Sequence, residues 1–253
     1  CYTCSVPKLS VTVITKNEKK NLAYALESVS WADELIVVDC GSEDGTADIA
    51  RRFTDHVFVR SWTGYGDQKN YAAEIASHDW IFSLDADERV PHQLAQEIRQ
   101  LLETEPAHRG YRVPRVTFHL GRWIRSTDWY PDFQLRLYDR RVGRWSTPSV
   151  HESVTVSGRV GRFQHELEHY TYRDLSHQLD TIDRYATLAA DDMVAQGRRT
   201  SFLRLVVHPI LAFLRNYLLR GGMRDGVAGF IISTMNAYYV FLKFAKLWER
   251  QRH

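Results

Sequence analysis

Two carboxylates separated by one small residue, Asp85-Ala86-Asp87, follow directly on the apolar run Trp80–Leu84. Carboxylates at that spacing can approach a hard cation, and Mg2+ or Mn2+ takes oxygen ligands together with phosphate oxygens. Such a cation would neutralise a departing diphosphate. The bland reading is a capped turn in which Asp85 and Asp87 serve the helix that follows. Two more polar loops occupy comparable positions: Thr15-Lys16-Asn17-Glu18 after a first apolar run, and Asp39-Cys40-Gly41-Ser42-Glu43-Asp44-Gly45-Thr46 after a second. Asp39 taken singly is equally a helix cap or turn residue. Three such loops in series are hard to ascribe to solvation.

The elements that must position these loops alternate in period. Leu9–Ile14, Leu35–Asp39, His56–Val59 and Trp80–Leu84 are short and rich in β-branched or aromatic residues, which predicts strands. Asn21–Trp31, Thr46–Phe53, Gly66–Ala76 and Pro91–Glu103 between and after them predict helices, the last opened by Pro91. Strand and helix alternating in this way predict right-handed βαβ units and a mostly parallel sheet covered on both faces. In open sheets of this kind ligands bind beyond the carboxyl ends of the strands, where all three polar loops fall. From Gly110 to about Tyr172 the pattern changes to short strand-like runs (Tyr111–Phe118, Phe133–Tyr138, Val150–Val156) rich in Arg, Trp and His. These predict mixed or antiparallel strands and site-building loops. Arg136 could reach an acceptor or a diphosphate, or form a surface ion pair. Trp123, Trp129 and Trp145 could stack on sugar faces or fill a core. Leu175 onward is helical again, with apolar stripes at 175, 179, 182, 186, 189 and at 202, 206, 210, 213, 217, the second kinked by Pro209. Ser233, Thr234, Asn236 and Lys243 interrupt the last helix, Val227–Trp248, which argues for an amphipathic pair lying on a membrane or sealing a dimer rather than a spanning helix.

VTVITKNE, VVDCGSEDGT, the segment Gly66-Asp67-Gln68-Lys69-Asn70 and LDADE, in this order, resemble the inverting family-two glycosyltransferases of the GT-A fold. FQLRLY, VHE, HYTYRD and the tail GGMRDGVAGF…FLKFAKLWE resemble the branch that adds β-glucose to an inner-core heptose of lipopolysaccharide. The resemblance implies a tail (1–8), a GT-A nucleotide-sugar domain (9–172) and a C-terminal helical extension (173–253). It implies a UDP-sugar donor held by Thr15, Asn17, Glu18, Asp39, Gly41, Lys69, Asp85 and Arg136, with Glu18 and Asp39 at the uridine and Asp39 accepting from the uracil N–H. It also implies Mg2+ or Mn2+ at Asp87 and Asp85, with His169 a candidate third ligand against the plainer reading of a packed histidine. The family's acidic base falls on Glu152, within Val150-His151-Glu152, where relatives commonly carry Glu-Asp. His151 is then an alternative base, an orienting partner or a packed residue.

Charge narrows the partners. Arg198 to His253 carries ten basic and two acidic residues, +8, whereas the first 197 residues carry twenty-three and twenty-nine, −6. A basic, apolar-rich tail on an acidic body suits an anionic lipid surface or a lipid-linked saccharide acceptor, with a homodimer contact as the alternative; nothing suggests nucleic acid. Three cysteines without a second metal-ligand pair, and no opening stretch shaped as a secretory leader, predict a reducing cytoplasmic setting at the inner membrane. Cys1 and Cys4 have only half a zinc-site spacing, and Cys40 reads as a small packed residue. A dinucleotide oxidoreductase is excluded, because Thr15-Lys16-Asn17-Glu18 lacks the glycines that let a backbone touch pyrophosphate. Transfer to a polyprenyl phosphate and a non-catalytic sugar-binding relative remain as rivals.

Overall fold

The computed structural model describes residues 6–146 and 153–252, which form two compact units. Residues up to Arg115 together with Phe133–His169 make the first; Val116–Asp132 with Tyr170 onward make the second.

The first unit opens with β1 (Leu9–Thr15), α1 (Leu22–Ser28), β2 (Glu34–Asp39), α2 (Thr46–Ala50), β3 (Val57–Val59), α3 (Tyr65–Glu74) and β4 (Trp80–Asp85). Then come β5 (Glu88–Arg89), α4 (His92–Leu102), β6 (Gly110–His119), β7 (Arg122–Ile124) and β8 (Asp132–Asp139), of which β6 from Val116 onward, β7 and the first residue of β8 belong to the second unit. A separate hairpin, β9 (Gly143–Trp145) with β10 (Val154–Val156), precedes β11 (Val160–Arg162) and β12 (Leu167–His169). The sheet runs β3-β2-β1-β4-β8-β6-β12-β5. Its first four strands are mutually parallel, and β8 joins β4 antiparallel.

Every residue of β1 is buried, as expected of a strand covered on both faces. Side chains alternate across the sheet. Leu9, Val11, Val13, Val37, Phe82 and Leu84 pack with α1, α2 and α4 through Leu22, Leu26, Ile49, Leu94 and Ile98. Ile14, Ile36, Val38 and Ile81 pack on the other face with Ala72, Ala73 and Ala76 from α3 and its C-terminal turn. Pro91 stands as the residue capping α4, in extended conformation, one position before the helix proper. Cys40 is buried, and burial together with the neighbouring Asp39 charge pushes its thiol pKa up.

The second unit is helical: α5 (Leu175–Ala195), α6 (Phe202–Leu214), a π-helical turn over Arg215–Leu219, and α7 (Gly226–Arg250). Asp174 caps α5 by accepting from the His177 N–H at 2.8 Å. α7 packs on α5 through Phe244 and Leu247 against Ala190, with Lys246 Nζ 2.6 Å from Asp183. A Cβ added at Gly229 of α7 would lie 1.8 Å from the Gly222 carbonyl oxygen, so this crossing demands glycine. Residues 122–128 are tied to the helices by polar contacts. Ser126 and Arg122 hold the buried Asp225, and Asn216 Nδ2 donates to Asp128 at 2.9 Å. Phe202–Leu219 and Gly222–Arg250 are long and apolar enough to cross a membrane by length and composition.

Candidate active site

Register places the predicted residues at one sheet edge. Thr15 pairs with Asp39, and Ile14 pairs with Asp85, so β1 separates the two aspartates at the carboxyl end of the parallel strands. Two inter-strand steps put their backbones roughly 10 Å apart. Parity adds a finer point. Thr15 and Asp39 share the α1/α2 face, whereas Ile14 and Asp85 share the α3 face. A molecule touching both carboxylates must therefore lie across the edge of the sheet.

On the first face, Asp39 Oδ2 accepts from the N–H groups of Gly41 (3.1 Å) and Ser42 (2.9 Å), closing a turn that Gly41 completes at φ 77°. Asn17, at φ 55°, ties the neighbouring loop to this turn. Its N–H donates to Ser42 Oγ at 2.8 Å and its Oδ1 accepts from Glu43 N–H at 2.9 Å. Glu18 accepts from Asn21 Nδ2 at 2.9 Å. Two oxygens in this cradle are buried without a hydrogen-bond partner: Asp39 Oδ1 and Thr15 Oγ1. A buried acceptor left unmatched costs about 1–3 kcal/mol, a cost that an N–H-bearing ligand would relieve.

On the second face, Asp85 is gripped by two cations. Lys69 Nζ lies 2.9 Å from Oδ1, and Arg136 donates to Oδ2. Burial pushes the Asp85 carboxyl up, but Arg136 and Lys69 outweigh it and hold the group far below the ordinary carboxylate range. Lys69 also lies 4.3 Å over the Trp145 ring, whose backbone is clasped by Asn70 through two hydrogen bonds of 2.9 and 3.0 Å. Trp145 is buried and donates to Tyr138 Oη at 3.2 Å, so of its two predicted roles the core one is observed. Trp123 and Trp129 are half-buried among the rings of Phe118, Tyr170, His119 and Tyr172 in the second unit.

Arg136 is buried, so the expected alternative of a surface ion pair does not hold. Its guanidinium bridges Asp85 to Glu88, and Glu88 is the residue that sequence reasoning missed. Fully buried, Glu88 also meets Arg115 at 3.1 Å and accepts from the Asp85 backbone N–H at 3.0 Å. Its only sequence signal is position, directly after Asp-Ala-Asp. Asp87 meets His169 Nε2 at 3.3 Å, the register β12–β5 bringing His169 opposite Glu88. Burial raises the Asp87 carboxyl, and the contact with His169 more than offsets it. Among the described residues no three His, Cys, Asp or Glu side chains gather around one point. Asp87 and His169 thus offer an oxygen and a nitrogen, a donor pair that suits Mn2+ better than the harder, oxygen-preferring Mg2+, with phosphate oxygens needed to complete the shell. His151 and Glu152 lie outside the described residues.

Residues 10–158 match the family described as Glycosyl transferase family 2, more than half of the chain, so this protein belongs to that family and is a glycosyltransferase. Over 254 residues it is 34% identical to the lipopolysaccharide core biosynthesis glycosyltransferase LpsC of Rhizobium meliloti (strain 1021), covering 97% of this chain and 94% of that one. The glycosyltransferase RT0209 of Rickettsia typhi is 30% identical over 255 residues, covering 96% and 87%. Among solved structures, the mannosyltransferase PcManGT from Pyrobaculum calidifontis, in complex with GDP-Man and Mn2+, superposes with a TM-score of 0.56 at 15% identity, covering 98% of this chain and 89% of that one. The expected GT-A-like architecture, a mostly parallel sheet with flanking helices and a C-terminal helical extension, is thereby borne out.

Proposed function

We propose that the chain transfers a hexose, glucose in our reading, from a UDP-sugar to a heptose of the lipopolysaccharide core, at the cytoplasmic face of the inner membrane. The observation that carries the donor half is the pair of unmatched oxygens, Asp39 Oδ1 and Thr15 Oγ1, at the carboxyl edge beside the Asp85–Lys69–Arg136 cluster. A pyrimidine N–H matches the former, and the diphosphate then extends across the edge toward Asp85 and Asp87. The likeness to LpsC supports the acceptor half.

The reaction is a single displacement. The acceptor hydroxyl oxygen attacks the anomeric carbon, its proton passes to a base, and the bond from that carbon to the diphosphate oxygen breaks, releasing UDP with the electron pair. Glu152 takes the proton in this reading, with His151 orienting it. Asp85, Asp87 and Glu88 balance Lys69, Arg115 and Arg136, so these six side chains are neutral together and a diphosphate arrives without counter-charge. A divalent cation held by Asp87 and His169 would supply that counter-charge, as Lewis acid to the departing phosphate.

Calorimetry of UDP binding tests the donor site. Asp39→Asn places an amide where an acceptor is needed and should weaken UDP about tenfold or more. Unchanged affinity, or tighter binding of GDP than of UDP by the wild type, removes the assignment. UDP release measured with heptose-bearing core oligosaccharides against a panel of polyprenyl phosphates decides the acceptor. Glu152→Gln should depress turnover far more than donor affinity; a mild effect beside a crippling His151→Ala would move the base to His151.

A further inference from the structure

Building on the membrane placement proposed above, we infer that α6 is a docking face for anionic lipid headgroups and lies in the plane of the bilayer surface. The helix has no buried residue. Leu203, Val206, Val207, Ile210, Leu211 and Leu214 are all exposed, at spacings that put them on one helical face. Leu218 and Leu219 extend the apolar surface through the π-helical turn, Leu219 at 83% exposure. So extended an apolar patch marks an interaction surface.

Charge selects the partner. From Arg198 to Arg224 the sequence holds six arginines and not one Asp or Glu. Arg204 and Arg215 sit along one edge of the apolar face, Arg198 and Arg199 precede the helix, and Arg220 and Arg224 follow it. Among the described residues none of these six forms an ion pair, although arginines elsewhere in the molecule, such as Arg60, Arg141 and Arg250, do. An apolar strip edged by guanidinium groups that have no carboxylate partner among the described residues complements acyl chains beneath a layer of phosphates. A twofold contact between copies would set the same arginines against one another. A spanning arrangement would carry Arg204 and Arg215 into hydrocarbon, where arginine is costly. In the plane, both can extend their guanidinium groups to the phosphates while their stems stay apolar.

Co-sedimentation of the full chain with vesicles of phosphatidylcholine, with and without phosphatidylglycerol, tests this. Binding should require phosphatidylglycerol and fall with salt. Arg204→Gln with Arg215→Gln should weaken it roughly 30-fold, about fivefold for each charge. Ile210→Gln with Leu211→Gln should also release the protein, while UDP affinity stays at the wild-type value in both variants. Equal binding to pure phosphatidylcholine, retention of the arginine variant, or a wild-type dimer that the Ile210/Leu211 variant dissolves would each overturn the inference. Wild-type protein that turns over a soluble core oligosaccharide yet ignores both vesicles sinks the docking face alone; vesicle binding without turnover sinks the transfer reading alone.

Discussion

Glu88→Gln is the most informative single change. The carboxylate is fully buried, and each oxygen has its own work: Oε1 accepts from Arg136 and Arg115, Oε2 from the Asp85 N–H. Glutamine keeps the shape but must aim its NH2 at one of those places. Turned one way it faces two guanidinium groups; turned the other it faces a backbone N–H. Either way a donor meets a donor, and Arg136 keeps only Asp85 as counter-ion. Breaking one partner out of a buried ionic cluster costs about 3–5 kcal/mol. Because Asp85 still neutralises Arg136, the lower end applies, about 3 kcal/mol. For a chain of this size that corresponds to a fall of about 6–12 °C in Tm. Thermal unfolding followed by circular dichroism reads it directly. Donor affinity should drop too, because the Asp85 N–H bond that fixes the Asp85-Ala86-Asp87 turn is weakened or lost. A Tm within about 2 °C of wild type would refute the view that Glu88 holds this turn.

Asp87→Ala should abolish the metal-stimulated part of turnover, about a thousandfold if the cation supplies several kcal/mol, with circular dichroism unchanged; normal stimulation in UDP-release assays would remove Asp87 from the metal site. Gly229→Ala should destabilise the α7 crossing by about 3 kcal/mol, the upper range for overpacking, because its Cβ would meet the Gly222 carbonyl oxygen at 1.8 Å; unaltered hydrogen exchange along α7 would contradict this. Glu34 gives an acid-stability prediction. Burial pushes its carboxyl up, but hydrogen bonds from Ser10 and Ser77 outweigh that and leave it below the ordinary value. A carboxyl depressed on folding stabilises above its unfolded pKa of about 4.3, and that stability is lost as pH falls through the folded value. Glu34→Gln should therefore flatten the acid limb of the stability–pH curve, and parallel curves for the two proteins would count against it.

The parallel half of the sheet was legible because three of its strands are mostly buried and read as continuous apolar runs: β1, β2 and β4 begin and end within a residue of the expected positions. α3 was legible as a helix but not as to its inner face. Tyr71 and Ile75 suggested the apolar side, yet the buried positions include Gly66, Gln68, Lys69 and Asn70. Polar side chains go inward there because each finds a partner outside the helix: Gln68 at the Ser61 carbonyl, Lys69 at Asp85 and Asn70 at Trp145. Periodicity cannot register such pairings. The same holds for Val116–Asp132, grouped with the helices through Arg122, Ser126 and Asp128, whose partners Asp225 and Asn216 lie about a hundred positions away.

The parity of the sheet edge has a consequence for how specificity can change. In the proposed reading, base recognition belongs to the layer of β1, β2 and their turns, whereas the handling of the leaving group belongs to α3, Arg136 and the turn after β4. Because alternate side chains deliver these two duties to opposite sides of one strand, β1 insulates them from each other. On that reading, substitutions around Asp39 should retune which nucleotide is accepted without disturbing the ionic lattice behind Asp85, and a donor switch should need no compensating change on the far side.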